Sequence, residues 1–481
     1  MKFLTTYYFL YSFILLAAIV AANIFFDFNG LFGQDSYEYV KLQRGITEHI
    51  FSGKEIPYSV FPIGYGLTGF LAALVLQNDI LAMQLISLVT LFCSAIYLRK
   101  ILETIYKTNF QFDLFLVLFF LLSPYVMRFG LLVMSDMLCI AVYLFFLYHF
   151  LQFKHSKGLR SFLFAIIAGA CCVYIRYASV VALLIPIIFL IFECIKLKKH
   201  QYLIYALLIF ILISLPEIFL RQRFLFWNFG ETNTGFAYFY VPQQWSVANF
   251  FKKGFYNMDG WQHYSYPNLL FVFQNFVHPA FIFAGVLFLF FSRKATFQLS
   301  DNKILFVIIV LYALFAAGYA YQSSRYLLFT FPLILILLYP AFARLYQLCN
   351  IPKWLKTLGI AACAGIQVFL LLYSSQTIYN ANQVEKNIAD TIKKEYPGRN
   401  IYTFSIDGAL NTYKVSYTFF DIYRNRFDTI QPNSLFLYND AAFTAQFEGL
   451  NPVKNLEFIQ SNYQLEELEN FDGGWKLFAI K

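Results

Sequence analysis

The chain is dominated by apolar segments that are long enough to cross a lipid bilayer. A membrane-spanning helix needs about 20 mainly apolar residues, and this chain of 481 residues is 59% hydrophobic and 13% charged, with a mean hydropathy of +0.58. A soluble domain cannot bury so much apolar surface. The sequence therefore predicts an all-α polytopic membrane protein. About eleven transmembrane helices are expected, at 8–27, 79–98, 113–127, 137–152, 161–175, 177–195, 202–220, 269–291, 304–320, 327–346 and 357–376.

One further apolar run, 63–77, is short and interrupted by glycines. The basic residues indicate whether this run crosses the membrane, because loops rich in Lys and Arg face the cytoplasm. If 63–77 does not cross, every basic cluster falls on one side of the membrane; if it crosses, the first four face outward. We therefore predict a re-entrant or interfacial outer helix at 63–77, a cytoplasmic N-terminus and a multi-pass protein of the plasma (inner) membrane. The clusters are Arg99/Lys100/Lys107, Lys154/Lys157/Arg160, Lys196/Lys198/Lys199, Arg293/Lys294/Lys303 and Lys353/Lys356.

The C-terminal segment 378–481 differs in character, because it is polar and much less apolar. Apolar residues on one face predict a helix over 380–396, which Pro397-Gly398 ends. Short apolar runs at 400–406, 434–438 and 475–480 predict strands. The expected organisation is a transmembrane module, 1–377, with outer loops at 28–78 and 221–268, and a small extracytoplasmic α/β domain, 378–481.

Charge and cysteine content exclude several other classes of protein. The net charge of +9 comes from short basic clusters between apolar runs, so no nucleic-acid partner is indicated. Most of the 7 cysteines lie inside apolar segments, and no pair has the spacing of metal ligands. We therefore expect no cofactor, no thiol metal site and no disulfide scaffold, and a divalent metal is not indicated.

The segment Gly33–Val40 follows the first apolar segment directly and places Asp35 near the membrane surface. A partly desolvated carboxylate is a better base than a carboxylate in water. The alternative is that Asp35 caps a helix over 36–50, since Asp is a good N-cap residue.

Three further charged residues stand at the ends of apolar segments on the predicted outer side. Asp136 begins one segment, where Ser135 or Asp136 is either an ordinary cap or a second outer carboxylate facing Asp35. Arg325 lies in a short outer connection, where its guanidinium suits a lipid phosphate or snorkels to water beside Tyr326. Arg176 is a similar case, and it also fits a tight turn between two spans.

The outer loop 221–267 is long and rich in aromatic residues. Glu231, Asp259 and His263 are its polar candidates for substrate binding. Aromatic platforms suit sugar rings and lipid chains, so the loop is either a lid over substrate or a pair of interfacial helices. In the span that follows, His278 beside Pro279 is interpreted as a residue at a helix kink.

Together these motifs resemble the GT-C superfamily of membrane glycosyltransferases. The branch concerned holds the protein O-mannosyltransferases and the bacterial lipid A aminoarabinose transferase. The resemblance covers roughly residues 1–346, and it depends on the order and placement of short motifs. These are Gly33–Ser36 after the first span, Phe61–Tyr65 opening the short apolar run, Ser135-Asp136 before a span, Ile175–Tyr177, and Ser324–Tyr326 followed by Pro332.

The resemblance implies inverting transfer of a sugar from a polyprenyl-phosphate donor to an acceptor hydroxyl of a lipid, glycan or protein on the outer face of the membrane, with little or no dependence on metal. It implies that Asp35 is the general base, Asp136 the second catalytic carboxylate and Arg325 the ligand of the donor phosphate. Arg176 is expected to assist Arg325. Segment 378–481 matches no particular family domain, which leaves the acceptor class open. The further residues expected to contact substrate are Tyr37, Glu38, Tyr65, Glu231, His263 and Tyr326.

Two other functions are considered. An O-antigen ligase or polymerase acting on lipid-linked glycans also has many spans and a large outer loop, and would use Arg221, Arg223 and His263; it does not need the acidic residue after the first span. A lipid or sugar transporter requires ionisable residues near the middle of the membrane. Glu193 and Glu217 instead lie towards the ends of their segments, which argues against transport.

Overall fold

The structure, a computed structural model, describes residues 2–107, 111–224, 227–228, 245–257, 260–263, 265–293, 298–319, 322–348, 352–415, 417–423 and 425–481, with the backbone alone at 2–6, 227–228, 255–257 and 260–263.

Helices dominate the first part of the chain. They are α1 (Lys2–Val20, continued by a π turn at Ala21–Phe25), α2 (Gly33–Ser52), α3 (Ile63–Leu76), α4 (Asp79–Tyr106), α5 (Phe112–Leu116, continued by a π turn at Val117–Leu121), α6 (Pro124–Leu131), α7 (Asp136–Ser156), α8 (Leu159–Ile175), α9 (Ser179–Lys196), α10 (His200–Arg221), α11 (Asn268–Phe271), α12 (Pro279–Ile282), α13 (Gly285–Phe290), α14 (Ser300–Ala317), α15 (Ser324–Leu328), α16 (Phe331–Leu348) and α17 (Lys353–Glu395).

Eight of the described helices have the length and apolar composition to cross a membrane, namely α1, α4, α7, α9, α10, α14, α16 and α17. The pair formed by 112–121 and 124–131 gives a ninth crossing if it counts as one span. The two remaining expected spans, 161–175 and 269–291, correspond to shorter pieces: α8 has 17 residues, and the other segment is divided among α11, α12 and α13. The protein is thus a multi-pass membrane protein.

The expected span 113–127 is not straight. Its two halves meet at an angle of 68°, and the break falls directly before Pro124. A proline disfavours helical backbone in the residue before it, and Ser123 is extended, with φ −61° and ψ 124°. A similar break lies at His278-Pro279, where the His278 Nδ1 accepts a hydrogen bond of 3.2 Å from the Ala280 amide and so caps α12.

Helix α3 is too short to cross a membrane, as predicted for 63–77. Its 14 residues span about 21 Å, whereas the hydrocarbon core of a bilayer is about 30 Å thick. The Ile63 amide donates to Glu217, at the C-terminal end of α10, over 2.9 Å, and Gln77-Asn78 leads directly into the N-terminal end of α4. Both ends of α3 therefore lie at the same end of the helix bundle.

Helix α17 is continuous across the expected domain boundary at 377. Its 43 residues extend about 64 Å, roughly twice the thickness of the hydrocarbon core. The expected span 357–376 and the expected helix 380–396 are therefore one element. The second half of α17 contacts the chain around the start of α2, where Asn382 donates to the Leu31 carbonyl over 3.0 Å, and it leads directly into the C-terminal α/β region.

The C-terminal region contains one mixed sheet of five strands in the order β6-β5-β7-β9-β8. The central strands β5 and β7 are parallel, and β7, β9 and β8 are antiparallel to one another in turn. Aromatic side chains such as Phe404, Phe436 and Phe443 fill its core. The edge strands β6 and β8 had not been predicted. The elements are β5 (Ile401–Thr403), α18 (Asp407–Thr412), β6 (Phe419–Asp421), β7 (Leu435–Asn439), α19 (Asp440–Phe447), α20 (Val453–Asn462), β8 (Leu465–Asn470) and β9 (Trp475–Ile480); earlier in the chain, β1 (Arg223–Phe224) pairs with β2 (Trp227–Asn228), and β3 (Gly254–Asn257) with β4 (Gly260–His263).

Candidate active site

The alternating direction of the helices brings three charged side chains to one end of the bundle. Asp136 begins α7, Arg176 directly follows α8, and Arg325 lies in the short helix α15 just before α16. The N-terminal turn of α2 places Asp35 beside them. These residues, Asp35, Asp136, Arg176 and Arg325, are called the charge cluster below.

Arg325 joins the two carboxylates of the charge cluster. Its Nε donates a hydrogen bond of 2.7 Å to the Asp136 Oδ2, and its Nη1 forms an ion pair with the Asp35 Oδ2. The Arg176 Nη1 pairs with the other carboxylate oxygen of Asp136. Two carboxylates thus meet two guanidiniums, and the formal charge of the cluster is zero.

The four side chains differ in how far they are buried. The exposed fraction is 3% for Asp136, 12% for Arg325 and 15% for Arg176, but 27% for Asp35. Burial alone would lower the pKa of Arg325, but the carboxylates of Asp136 and Asp35 outweigh it and raise that pKa well above its usual value. Asp136 raises the pKa of Arg176 in the same way, against the effect of burial. Asp35 is therefore the member of the cluster that an incoming molecule reaches most readily.

Neither acidic residue of the cluster acts as a simple helix cap. Helix α2 begins at Gly33, earlier than the predicted 36–50, so Asp35 lies inside its first turn and Phe32 occupies the N-cap position. Ser135 precedes α7, but its side chain makes no capping hydrogen bond. Both carboxylates still lie at helix N-termini, where the helix dipole favours negative charge.

Tyr39 is a neighbour of the charge cluster that the sequence had not singled out. Its hydroxyl lies 2.6 Å from the Ser135 Oγ, next to Asp136 in the chain. Its ring packs edge-on against that of Tyr65 at 5.0 Å, and the Tyr65 hydroxyl donates to the Met83 carbonyl over 3.0 Å. Burial raises the pKa of Tyr39 to about 12, so its phenol is neutral at ordinary pH. Its position four residues after Asp35, one helical turn, is the signal that would have identified it.

The other predicted substrate contacts of α2 and α15 have partners of their own. Tyr37 donates to Glu385 on α17, and Glu38 pairs with Lys41 at 3.3 Å. The Tyr326 ring lies 5.9 Å from that of Tyr319. Tyr65, on α3, is fully buried, and its ring packs against that of Tyr39.

Three candidate residues of the outer loop cannot be placed at the site. Glu231 and Asp259 lie outside the described residues, and His263 is described only as the last backbone residue of β4. Arg221 and Arg223, which a ligase would use, are instead bound to the connection before α3. Arg221 donates to the Phe61 carbonyl over 2.7 Å, and Arg223 to the Ser59 carbonyl over 2.6 Å.

The C-terminal region contacts the helix that carries Asp35. Gln34 donates to Asp407 over 3.3 Å, and Arg44 donates to the Thr412 carbonyl over 3.2 Å. A Cβ atom on Gly408 would lie only 2.8 Å from the Cβ of Tyr37. Helix α18 therefore packs closely against the first turns of α2.

A metal site built from side chains needs several His, Cys, Asp or Glu residues close together. The described part of the chain holds no group of three or more His, Cys, Asp or Glu residues that could bind a metal ion. Both carboxylates of the charge cluster are already engaged by guanidinium groups.

Comparison with known proteins identifies the fold. No protein-family model matches this sequence, and no curated protein matches it. The crystal structure of ArnT from Cupriavidus metallidurans bound to undecaprenyl phosphate is similar over 99% of this chain and 98% of its own, with a TM-score of 0.61 and 12% identity. The apo structure of the same protein is similar over the same shares, with a TM-score of 0.63 and 12% identity.

The similarity extends beyond residue 346 and includes the C-terminal α/β region, which the sequence resemblance had left unmatched. At 12% identity the likeness concerns the fold and not the activity. It confirms the fold class that the sequence resemblance implied. The chain shares the fold of this ArnT along nearly its whole length.

Proposed function

We propose that this protein is a membrane glycosyltransferase that moves a sugar from a polyprenyl-phosphate-linked donor to an acceptor hydroxyl on the outer face of the membrane. The observation that carries the proposal is the buried position of Arg325 between Asp35 and Asp136. The similar ArnT structure was solved with undecaprenyl phosphate, a polyprenyl phosphate. The positive-inside tendency of the basic loops supports an outward-facing site in the plasma membrane.

Arg325 is the proposed ligand of the donor phosphate. A guanidinium binds phosphate with two parallel hydrogen bonds, and Arg325 already uses Nε and Nη1 to bind two separate carboxylates. An arriving phosphate competes with Asp35, the more exposed carboxylate, for this guanidinium. Asp136 keeps Arg325 and Arg176 in place during the exchange. Donor binding therefore frees Asp35 at the moment when the sugar is bound.

Asp35 is the proposed general base. It takes the proton of the acceptor hydroxyl while the acceptor oxygen attacks the anomeric carbon of the sugar. The bond from the anomeric carbon to the phosphate oxygen breaks, and the polyprenyl phosphate leaves with the electron pair. Arg325 and Arg176 stabilise the negative charge that develops on this leaving group. One displacement at the anomeric carbon inverts its configuration.

The test is release of polyprenyl phosphate from polyprenyl-phosphate sugars by the purified protein in lipid bilayers. Wild-type protein is expected to release it, and Arg325→Ala is expected to lose both donor binding and turnover. Glu48→Gln is the matched control, because Glu48 lies on the same helix as Asp35 and pairs with Lys54 at an exposed position. Absence of turnover with every such donor, by folded wild-type protein, would overturn the proposal.

A further inference from the structure

A cavity of about 490 Å³ lies at the end of the bundle opposite to the charge cluster. Its lining includes Tyr106, the last residue of α4, and Arg344 and Gln347, near the end of α16. Helix α16 begins just after Arg325, so its far end is remote from the charge cluster. No residue of the proposed glycosyltransferase site lines this cavity.

Two arginines reach the cavity, Arg344 from α16 and Arg293 from the connection after α13. The Arg344 guanidinium donates to the Phe291 carbonyl, the residue that follows α13, and Arg293 lies two positions further along the chain. Both arginines line the cavity. Among the described residues, neither has a carboxylate within ion-pair distance, and the nearby Asp301 is occupied by Lys154 and His155. Within the described parts of the chain, the two arginines therefore give the cavity a positive charge that no carboxylate offsets.

The lining of the cavity also includes two tyrosines, Tyr106 and Tyr339. The rings of Tyr106 and Tyr339 lie 5.3 Å apart. The Tyr106 hydroxyl donates to the Ile336 carbonyl over 2.8 Å and accepts from the Asn302 amide over 3.2 Å. A preformed cavity with two guanidiniums and an apolar wall suits a phosphate group attached to an apolar or amphipathic body.

We propose that this cavity binds a phosphate group. By the orientation of the basic loops it faces the cytoplasm, where basic pockets between membrane helices bind anionic lipid head groups. The phosphate comes either from the head group of an anionic phospholipid or from a soluble phosphate compound. The site is independent of the proposed transfer reaction, because it uses other residues at the other end of the bundle.

The experiment measures ligand retention by full-length protein. Protein extracted from phosphatidylcholine bilayers that contain phosphatidylglycerol is examined by native mass spectrometry, and binding of inorganic phosphate is measured separately. The variants are Arg293→Ala, at an exposed position, and Arg344→Gln, which keeps a donor for the Phe291 carbonyl. Arg160→Ala is the matched control, because Arg160 is exposed at the same end of the bundle, lies over the Phe164 ring and does not line the cavity.

Loss of one guanidinium contact is expected to weaken retention about tenfold. Phosphatidylglycerol retention that falls in both variants but not in Arg160→Ala supports the proposal and identifies a lipid head group. Inorganic phosphate binding with the same pattern, and no retained lipid, supports it and identifies a soluble ligand. Retention that is equal in wild type and in both variants, or that falls equally in Arg160→Ala, would overturn the proposal.

Discussion

Arg325 and Asp136 stand 189 positions apart in the sequence, yet a hydrogen bond of 2.7 Å joins the Nε of one to the Oδ2 of the other. Asp136 also holds Arg176 through its second oxygen. A single buried carboxylate thus positions two guanidiniums and leaves Asp35 as the more exposed partner. In the proposed mechanism, Asp136 is therefore the positioning carboxylate and Asp35 the reactive one.

The difference in burial between Asp136 and Asp35 predicts that the same Asp→Asn substitution affects stability differently at the two positions. Asp136→Asn leaves two buried guanidiniums with one carboxylate, and breaking such a buried pair costs about 3–5 kcal/mol of stability. Asp35→Asn removes a more exposed partner, which costs about 1 kcal/mol or less. Thermal unfolding of both variants in the same lipid bilayers measures the difference. Equal loss of stability in the two variants would contradict the assignment of Asp136 as the structural carboxylate.

Arg325→Lys is expected to lose most of its activity although the positive charge is kept. Lysine carries one ammonium on a flexible stem and cannot reproduce the fork with which Arg325 contacts two carboxylates. We expect turnover to fall about a hundredfold or more. Losses of this size follow when an enzyme loses one hydrogen-bond donor that stabilises negative charge in the transition state. Steady-state kinetics with varied donor concentration tests this expectation. A lysine variant with wild-type kcat and KM would show that charge alone is sufficient.

The hydrogen bond between Tyr39 and Ser135 is expected to contribute about 1 kcal/mol. Tyr39→Phe removes the hydroxyl and keeps the ring against Tyr65, and Ser135→Ala removes the other partner. A double-mutant cycle on unfolding isolates the interaction. We expect the double variant to lose less unfolding free energy than the two single variants lose together. Strict additivity would mean that the two hydroxyls do not interact.

Gly408→Ala tests whether the C-terminal region positions the helix that carries Asp35. The added Cβ would lie 2.8 Å from the Cβ of Tyr37, so α18 and α2 must separate slightly. Misplacement of a catalytic group by about 1 Å costs up to about a hundredfold in rate. We expect lower kcat with nearly unchanged KM for the donor.

Gly359→Ala is the control for this substitution, since a Cβ there meets nothing within 4 Å. A loss of kcat in Gly359→Ala, or none in Gly408→Ala, would show that the packing of α18 on α2 does not position Asp35.

Much of the fold could be predicted from the sequence, because apolar length and basic loops constrain a membrane protein strongly. Helix α3 is shorter than a membrane span, and the sequence had set 63–77 apart from the spans by its length, its glycines and the charge pattern. The bend before Pro124 was missed because hydropathy measures the apolar character of a segment and not its direction. Strand β8 was missed because it is an edge strand whose side chains are mainly polar and exposed, so it lacks the apolar run that reveals a central strand.

The charged residues of the site were also predicted, since a single charged residue at the end of an apolar segment stands out. Their pairing was not predictable, because it depends on which helices are neighbours in space. Tyr39 was missed because an aromatic residue near a membrane surface has many ordinary roles. Glu385 was missed because its burial depends on contact between α17 and Tyr37, which are separated by most of the chain.

The measurement that tests the role of Asp35 most directly compares donor binding and sugar transfer in wild type and Asp35→Asn. The substitution keeps the size of the side chain and removes the base. We expect the variant to bind the polyprenyl-phosphate sugar at least as tightly as wild type, and to transfer the sugar about 10²–10⁴-fold more slowly. Transfer within a few-fold of the wild-type rate, with donor bound, would contradict the assignment of Asp35 as the general base.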